Sequence, residues 1–296
     1  MKAALARLVL GAIGLLPFAL AQRLGTAIGW LHWRLPNRSR EHARANIEAC
    51  YGDRSAAWRR RLLRAALVSM GRTLAESAWL WHHSQARALK LVREVHGWHH
   101  VEAARRAGRG IVFATPHIGN WELSAAWVAA TAPLTVLYRP PRLAALDRLI
   151  RRGRERLGGR PVPTDASGIR ALHRALRDGG AIGLLPDQQP RDGQGVDAPF
   201  MGQPAPTMTL LSRMAARSGA PVLFVAMLRR GDGAGFSMHF WPAEAAITDP
   251  DPAVAARQIN RETERAIALA PAQYMWNYQR FRRRRPRRRA AGEPGD

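Results

Sequence analysis

Short apolar segments alternate with helix-like segments from residue 92 onward. Six apolar segments have the length and residue types of strands, and they occupy residues 92–95, 111–114, 134–138, 181–185, 222–228 and 236–241. Apolar residues recur at helical intervals between these segments, in residues 123–130, 143–157, 169–177 and 208–217. A helix that follows a strand returns the chain to a parallel place in the same sheet. The order therefore predicts an α/β fold with a mixed, mainly parallel sheet flanked by helices.

Helical periodicity also precedes and follows this alternating region. Residues 53–90 carry apolar side chains at helical intervals, and residues 253–269 form a final predicted helix. Ser167 and Thr207 are candidate N-caps for the helices that follow them. Residues 186–206 are rich in proline and glycine, which predicts a long functional loop rather than a linker between domains.

The N-terminus is predicted to anchor the protein to a membrane. Two apolar stretches, at residues 8–21 and 24–33, are separated by a polar pair. The first stretch is short for a spanning helix, and residues 19–21 resemble a signal-peptide cleavage site. The second stretch ends with Trp30 and Trp33, of the kind found at membrane interfaces. We therefore favour an uncleaved anchor that spans the bilayer or lies in its interface.

The charge of the chain predicts anionic partners. The 296 residues include 46 Lys+Arg and 22 Asp+Glu, a formal net charge of +24. Anionic lipid, an acidic protein or nucleic acid would each be attracted. Arginines cluster directly after the apolar N-terminus, which by the positive-inside rule predicts a cytoplasmic body. Cys50 is the only cysteine, so no intramolecular disulfide forms, and no Cys and His spacing resembles a zinc site. No metal or cofactor is expected.

One segment, residues 109–124 (RGIVFATPHIGNWELS), carries the residue types of a catalytic site. A short apolar run leads into His117, and an apolar helical stretch begins near Glu122. Such a strand, turn and helix start places an imidazole and a carboxylate at one junction. These two groups suit a general base and the acid that orients it. The alternative is a surface histidine near a helix that happens to start with glutamate, and the strand-to-helix setting favours chemistry.

The spacing within this segment restricts how the two groups meet. Five positions in one regular helix would turn the side chains of His117 and Glu122 about 140° apart. We therefore expect His117 in the turn and Glu122 in the first helical turn, with Gly119 allowing the bend. Asn120 is a plausible N-cap, and a carboxylate near the positive helix end stays ionised. The backbone N–H groups of Gly119 and Asn120 are candidate oxyanion donors.

Five sequence blocks in this order resemble the lipid A biosynthesis acyltransferases. The blocks are ATPHIGNWEL, LYRPP at 137–141, LLPDQQP at 184–190, APFMGQPAPT at 198–207 and QYMWNYQRF at 273–281. These late lauroyl and myristoyl transferases lie within the wider lysophospholipid and glycerophosphate acyltransferase superfamily. The H-x-x-x-x-[DE] signature alone is weak, and the five blocks together are strong. The similarity extends over nearly the whole chain, to Phe281.

The resemblance implies a reaction and roles for named residues. It implies transfer of a fatty acyl chain from an acyl carrier protein thioester to a hydroxyl of a lipid A precursor. It also implies residence in the bacterial inner membrane, facing the cytoplasm. His117 and Glu122 match the catalytic pair of the family. Arg139 matches a basic residue for phosphate or developing charge, and Asp187 matches an acidic position that binds a substrate hydroxyl or supports the site.

These features divide the chain into three predicted parts. Residues 1–35 are the hydrophobic anchor, residues 36–281 the acyltransferase domain, and residues 282–296 an arginine-rich tail. Runs of arginine are usually disordered and solvated, and this tail suits anionic lipid or nucleic acid equally. Arginines at residues 59–61 or 151–152 are candidates for docking the acidic carrier protein or anionic membrane lipid.

Two alternatives remain open on the sequence alone. One is an acyltransferase of the same superfamily that acts on another lipid acceptor, such as a lysophospholipid, a phosphatidylinositol mannoside or an ornithine lipid. The other is a basic nucleic-acid-binding protein. The second lacks a recognisable binding motif and does not explain the apolar N-terminus, so no nucleic-acid partner is expected.

Overall fold

A computed structural model of the chain describes residues 2–141, 144–191, 193–231 and 234–281, except for the side chains of residues 2–6, 144 and 145. The helices described are α1 Lys2–Leu15, α2 Phe18–Arg34, α3 Arg38–Cys50, α4 Ala56–His82, α5 Gln85–Leu89, α6 Trp98–Arg106, α7 Trp121–Thr131, α8 Ala144–Arg156, α9 Ala166–Arg177, α10 Leu210–Ser218 and α11 Pro252–Leu269. The strands are β1 Val92–His96, β2 Ile111–Ala114, β3 Leu134–Tyr138, β4 Gly159–Pro163, β5 Ala181–Leu184, β6 Gly195–Phe200, β7 Gln203–Met208, β8 Val222–Arg229 and β9 Phe236–Pro242. Short 3₁₀ turns occupy Ala245–Thr248 and Pro271–Gln273.

Seven of these strands form one sheet in the order β1-β9-β8-β2-β5-β3-β4. All neighbouring pairs are parallel except β8 and β9, which pair antiparallel. The expectation of a mixed, mainly parallel sheet flanked by helices is confirmed. Because β2, β3 and β5 are parallel neighbours, their carboxyl ends lie at one edge of the sheet. The segments that follow these three strands therefore lie close together.

The core lies on both faces of this sheet, as the alternation of side chains along a strand requires. On β2, Val112 and Ala114 face a cluster that includes helices α9, α10 and α11. Ile111 and Phe113 face the opposite cluster, which includes α4, α6 and α7. All four side chains are buried, so β2 is covered on both faces. The strand that leads into His117 is thereby fixed from two sides.

Four local features of the structure differ from the sequence predictions. Strand β4 was not predicted, because its two prolines suit only the edge position that it occupies. The expected long loop at 186–206 contains the antiparallel hairpin β6–β7 in its second half. The N-cap of α9 is Asp165 rather than Ser167. Thr207 is not the N-cap of α10, because β7 continues to Met208 and the helix begins two residues later.

The two N-terminal helices pack against the long helix α4. Gly25 and Gly29 of α2 face Gly71 of α4 so closely that a Cβ on any of them would meet the backbone of the other helix. No helix in the part of the chain that the structure describes is both long and apolar enough to cross a membrane. The predicted arginine-rich tail, residues 282–296, lies outside the described residues.

Candidate active site

The predicted catalytic segment forms a tight turn between β2 and α7, here called the catalytic turn and comprising residues 115–120. Gly119 has a φ of +59°, a left-handed conformation that favours glycine. A Cβ at Gly119 would also collide with the carbonyl oxygen of Met227 on β8. Asn120 caps α7 as predicted, since its Oδ1 accepts the Leu123 N–H at 2.9 Å. The sequence prediction for the shape of this segment is correct.

His117 and Asp187 meet at the carboxyl edge of the sheet. Ala114 at the end of β2 pairs with Leu184 at the end of β5, and each site residue follows three positions later. The Nδ1 of His117 lies 2.8 Å from Oδ1 of Asp187, and the His117 backbone N–H donates to Oδ2 at 2.9 Å. Both side chains are buried. One carboxylate therefore holds both the ring and the backbone of His117.

The Asp187 carboxyl is held ionised by its surroundings. Burial alone would raise its pKa, but the adjacent imidazole and the hydrogen bonds from His117 outweigh burial and lower the pKa of Asp187. An ionised carboxylate only accepts hydrogen bonds, so the His117 proton lies on Nδ1. The Nε2 atom then carries a lone pair. The side-chain amide of Gln188 lies 3.2 Å from that Nε2.

Glu122 has a different set of partners from those predicted. Its Oε2 accepts the indole N–H of Trp81 at 3.1 Å and the Nε–H of Arg154 at 3.0 Å, while Oε1 accepts from Arg154 Nη2. The expectation that Glu122 orients the imidazole is thus corrected, because Asp187 occupies Nδ1. Trp121 faces the ring of His117 instead, with ring centroids 5.0 Å apart. The next helical position points about 100° away, toward α4 and α8.

Glu122 nevertheless belongs to the electrostatics of the site. It is buried, which alone would raise its pKa, yet the Arg154 guanidinium and the hydrogen bonds from Arg154 and Trp81 lower the pKa below its ordinary value. The nearby His117 imidazole contributes to this lowering. Glu122 is therefore an ionised group that lies close to the imidazole but accepts hydrogen bonds from Arg154 and Trp81.

The backbone N–H groups proposed as oxyanion donors are already engaged. The Gly119 N–H donates to the carbonyl oxygen of Gln273 at 3.0 Å, and the Asn120 N–H donates to that of Met227 at 2.8 Å. Neither is directed at a substrate, so this expectation is corrected. Both groups fix the catalytic turn to neighbouring segments.

Arg139 lies at the same edge of the sheet as His117 and Asp187. It follows β3, a parallel neighbour of β5, and its side chain is exposed. Within the described residues it makes no hydrogen bond or ion pair. The structure therefore leaves its predicted phosphate contact as a prediction.

An apolar slot opens beside the catalytic turn, between α7 and strands β3 and β5. Its two branches are neighbouring cavities of about 30 and 50 Å³ that share a wall made of Trp121, Ala125, Val136 and Leu185. One branch continues between Ser124 and Gly183, and the other reaches the Glu122–Arg154 ion pair. The slot, called here the α7 slot, begins at the indole that contacts the imidazole.

A buried ion pair that the sequence analysis missed lies behind the catalytic turn. Arg229, the last residue of β8, donates from Nε to Oε1 of Glu76 at 2.8 Å, and Glu76 lies inside α4. Asn120 donates to the other Glu76 oxygen at 3.0 Å. The sequence does contain a signal, since Glu76 is a lone carboxylate in an apolar stretch of helix. Nothing local connects it to residue 229.

Comparisons with known proteins agree on one family. The family model described as bacterial lipid A biosynthesis acyltransferase matches residues 3–283. The lipid A biosynthesis palmitoleoyltransferase of Escherichia coli K12 is 30% identical over 276 residues, which cover 91% of this chain and 87% of that protein. The lauroyltransferase of the same strain is 28% identical over 270 residues, with 91% and 87% coverage.

A more distant group of relatives carries a different name. The phosphatidylinositol mannoside acyltransferase of Mycobacterium tuberculosis H37Rv is 28% identical over 241 residues, which cover 79% of this chain and 74% of that protein. The family model nevertheless covers nearly all of this sequence. The chain therefore belongs to the bacterial lipid A biosynthesis acyltransferase family.

Proposed function

We propose that this protein transfers a fatty acyl chain from an acyl carrier protein thioester to a hydroxyl of a lipid A precursor, with His117 as general base and Asp187 as the residue that orients it. The observation that carries the proposal is the 2.8 Å hydrogen bond between Nδ1 of His117 and Asp187. It leaves Nε2 as the basic nitrogen. Lipid A relatives covering 91% of the chain support the acceptor class.

The proton transfer follows from the position of Nε2. The amide of Gln188 occupies the hydrogen-bonding position at Nε2 from 3.2 Å, and a substrate hydroxyl would take that place. Nε2 then accepts the hydroxyl proton as the oxygen attacks the thioester carbonyl. The carbon–sulfur bond breaks, and the imidazolium returns its proton to the departing thiolate. A base placed in this way contributes about 10² to 10⁴ in rate.

The developing oxyanion needs hydrogen-bond donors other than the backbone N–H groups of Gly119 and Asn120, which are already bonded. The first N–H groups of an α-helix have no acceptor inside the helix, and those of Trp121 and Glu122 begin α7. The positive end of the helix dipole adds to their effect. We assign the oxyanion to this helix start, one residue beyond the catalytic turn.

The acyl chain would enter the α7 slot. The slot begins at Trp121, which contacts the imidazole, and its shared wall is apolar. A chain bound there would place its carbonyl near Nε2 and its tail between α7 and the sheet. Glu122 then has a structural role, because its ion pair with Arg154 fixes the first turn of α7, including Trp121, against α4 and α8.

The acceptor carries phosphate, and arginine is suited to bind phosphate through two oxygens at once. Arg139 is the proposed contact, because it is exposed at the sheet edge that holds His117 and Asp187. Its guanidinium is not committed to another group in the described part of the chain. The acceptor would then reach Nε2 from the side of β3.

The N-terminal helices are the proposed membrane contact. Leu8, Leu15, Leu31 and Leu35 are 71%, 83%, 53% and 53% exposed on α1, α2 and the residue that follows α2. The Arg34 guanidinium lies 4.4 Å from the centroid of an exposed indole, that of Trp30. Apolar side chains flanked by tryptophan and arginine suit an interface with anionic lipid. We place the protein at the cytoplasmic face of the inner membrane.

The experiment that tests this proposal uses a strain that lacks the gene. Mass spectrometry of its lipid A should show the loss of one secondary acyl chain, and the wild-type gene should restore it. His117→Ala should be expressed and membrane-bound at wild-type level and should restore less than a few percent. Full restoration by this variant would refute the assignment of the base.

A second acceptor is supported by the mycobacterial relatives. Their name, phosphatidylinositol mannoside acyltransferase, gives an acceptor that also presents a sugar hydroxyl beside a phosphate. Assays of purified protein with each acceptor and one acyl donor separate the two. Turnover of a phosphatidylinositol mannoside, with none of a lipid A precursor, would establish the alternative.

A further inference from the structure

We propose that Glu76 and Arg229 are positioning residues of the transfer reaction, and that Gln22 extends their network to the N-terminal helix α2. This inference rests on the function proposed above. It gives a role to a buried cluster that lies behind the catalytic turn and outside the α7 slot. It also makes the proposed membrane-contacting helix part of the machinery that holds the active site.

Arg229 is oriented by acceptors on several segments. Its Nε lies 2.8 and 3.0 Å from the two carboxylate oxygens of Glu76. Its Nη1 donates to Ser69 at 3.0 Å and lies 3.3 Å from the side-chain oxygen of Gln273. Its Nη2 reaches the hydroxyl of Thr73. A guanidinium held by this many fixed acceptors has one orientation.

The same guanidinium reaches the catalytic turn. Nη2 of Arg229 lies 3.3 Å from the carbonyl oxygen of Gly119, and the hydroxyl of Thr73 lies 3.0 Å from that same oxygen. The Gly119 and Asn120 N–H groups are bonded to the backbone carbonyls of Gln273 and Met227. The peptide groups next to His117 are therefore fixed at several points, and Arg229 supplies one of them.

Glu76 joins three segments that are distant in sequence. Its Oε1 accepts from the amide of Gln22 on α2 at 3.0 Å and from Arg229 on β8. Its Oε2 accepts from Asn120, the residue that caps α7, at 3.0 Å. Glu76 is completely buried, so these donors replace water around its charge. A change at Gln22 thereby reaches Asn120 through a single side chain.

Positioning explains this cluster better than stability does. A buried ion pair often contributes no more to folding stability than apolar residues of similar volume would. A reaction, in contrast, depends steeply on geometry, and a misplacement of about 1 Å can lower a rate about 10²-fold. The turn carries His117, whereas Asp187 lies in a different segment, three residues after the end of β5. Any shift of the turn therefore changes the relation between base and orienting carboxylate.

The chain offers a matched pair of variants on α2. Gln22→Ala removes the amide that bonds Glu76. Thr26→Ala, one turn further along α2, removes a hydroxyl that accepts from Arg72 of α4 at 2.7 Å and donates to the backbone carbonyl of Gln22 at 2.9 Å. This hydroxyl bonds neither the side-chain amide of Gln22 nor Glu76 or Arg229. Each variant removes one side-chain hydrogen bond between the same two helices. They differ in whether that bond leads to the catalytic turn.

Turnover and binding constants are measured for both variants in the full-length, membrane-bound protein. We expect Gln22→Ala to lower kcat about three- to tenfold, as the loss of one hydrogen bond implies, with KM for donor and acceptor within about twofold. Thr26→Ala should retain wild-type kcat at the same or a lower Tm. Equal kcat values for the two variants would overturn the link through α2.

Arg229→Lys tests the ion pair itself, because lysine keeps the positive charge but lacks the planar guanidinium with its several N–H donors. We expect kcat to fall by about 10²-fold with little change in KM. A folded Arg229→Lys protein with wild-type kcat would overturn the positioning role. An inactive His117→Ala beside fully active network variants would reject this inference and leave the proposed function intact, whereas an active His117→Ala would reject the proposed function first.

Discussion

Replacing Asp187 by asparagine tests which carboxylate orients the imidazole. The change keeps the size of the side chain but supplies one oxygen and one NH₂ group. In the structure both carboxylate oxygens accept from His117, Oδ1 from the ring and Oδ2 from the backbone N–H. The backbone donor cannot change, so the amide oxygen must face it. The NH₂ group then faces Nδ1 and moves the ring proton to Nε2, where it blocks the base.

The magnitude follows from the cost of avoiding that arrangement. Rotating the amide would restore the working tautomer but would set two donors against each other and leave each unsatisfied. An unsatisfied buried donor costs about 1–3 kcal/mol, so two cost about 2–6 kcal/mol. At about 1.4 kcal/mol for each factor of ten, kcat should fall by about 30-fold to about 10⁴-fold. Because the fold keeps its packing, Tm should change by only a few degrees.

Glu122→Gln is the matched control, since Glu122 and Asp187 are equally buried carboxylates at 4% and 3% exposure. Loss of the Glu122 charge leaves Arg154 without an anionic partner, so Tm should fall. The kcat of the folded protein should stay within about tenfold of wild type. Both variants are assayed for acyl transfer at saturating donor and acceptor, and thermal unfolding is followed in the same detergent. A more than 10²-fold loss in Glu122→Gln beside near-normal turnover in Asp187→Asn would refute the assignment of Asp187.

Four further measurements test separate parts of the proposal. The pKa of Glu122 is lowered in the folded protein, so its ionised form stabilises the fold above about pH 4.3, the ordinary pKa of a glutamate. This contribution is lost as the pH falls through the folded-state pKa. Acid should therefore destabilise wild type more than Glu122→Gln. Arg139→Lys should raise KM for the acceptor about tenfold with little change in KM for the donor, and a normal acceptor KM would contradict the phosphate contact. Turnover with acyl carrier protein should fall with added salt more steeply than turnover with a small thioester, and equal slopes would argue against arginine docking. Leu31→Asp should release protein from anionic vesicles, whereas the buried-face variant Ala21→Ser should not, and equal retention would exclude α2 as the contact.

The fold was predictable to the extent that local patterns determine it. Buried strands such as β2 and β3 are largely apolar runs, and their boundaries agree with the structure to the residue. Strand β4 has two prolines and pairs on one side only, so its sequence does not differ from that of a loop. The hairpin β6–β7 is likewise rich in proline and glycine. Local sequence does not predict strands that form only because of their position in the sheet.

The sequence predicted which residues form the site, but it did not predict their hydrogen-bond partners. His117, Gly119 and Asn120 lie in one local turn, and the sequence predicts the bend at Gly119 and the N-cap at Asn120 correctly. It does not predict the acceptors of the Gly119 and Asn120 N–H groups. The partner of the imidazole comes from a segment 70 residues away, through a hydrogen bond that only the pairing of β2 with β5 creates. Glu122 was the nearest carboxylate along the chain. In the structure, the direction of its side chain on α7 matters more than that proximity.

The order of the strands also explains why two carboxylates are needed beside one imidazole. In the proposed mechanism the first turn of α7 lies against the imidazole so that its N–H groups face the thioester carbonyl, and Trp121 contacts the ring. The following residue then points into a buried space between α4 and α8, where Arg154 requires a negative partner. A carboxylate in that space fixes the helix start but cannot also reach Nδ1. The orienting carboxylate therefore comes from the segment that follows β5, and Asp187 is placed there by the same register that brings β5 beside β2.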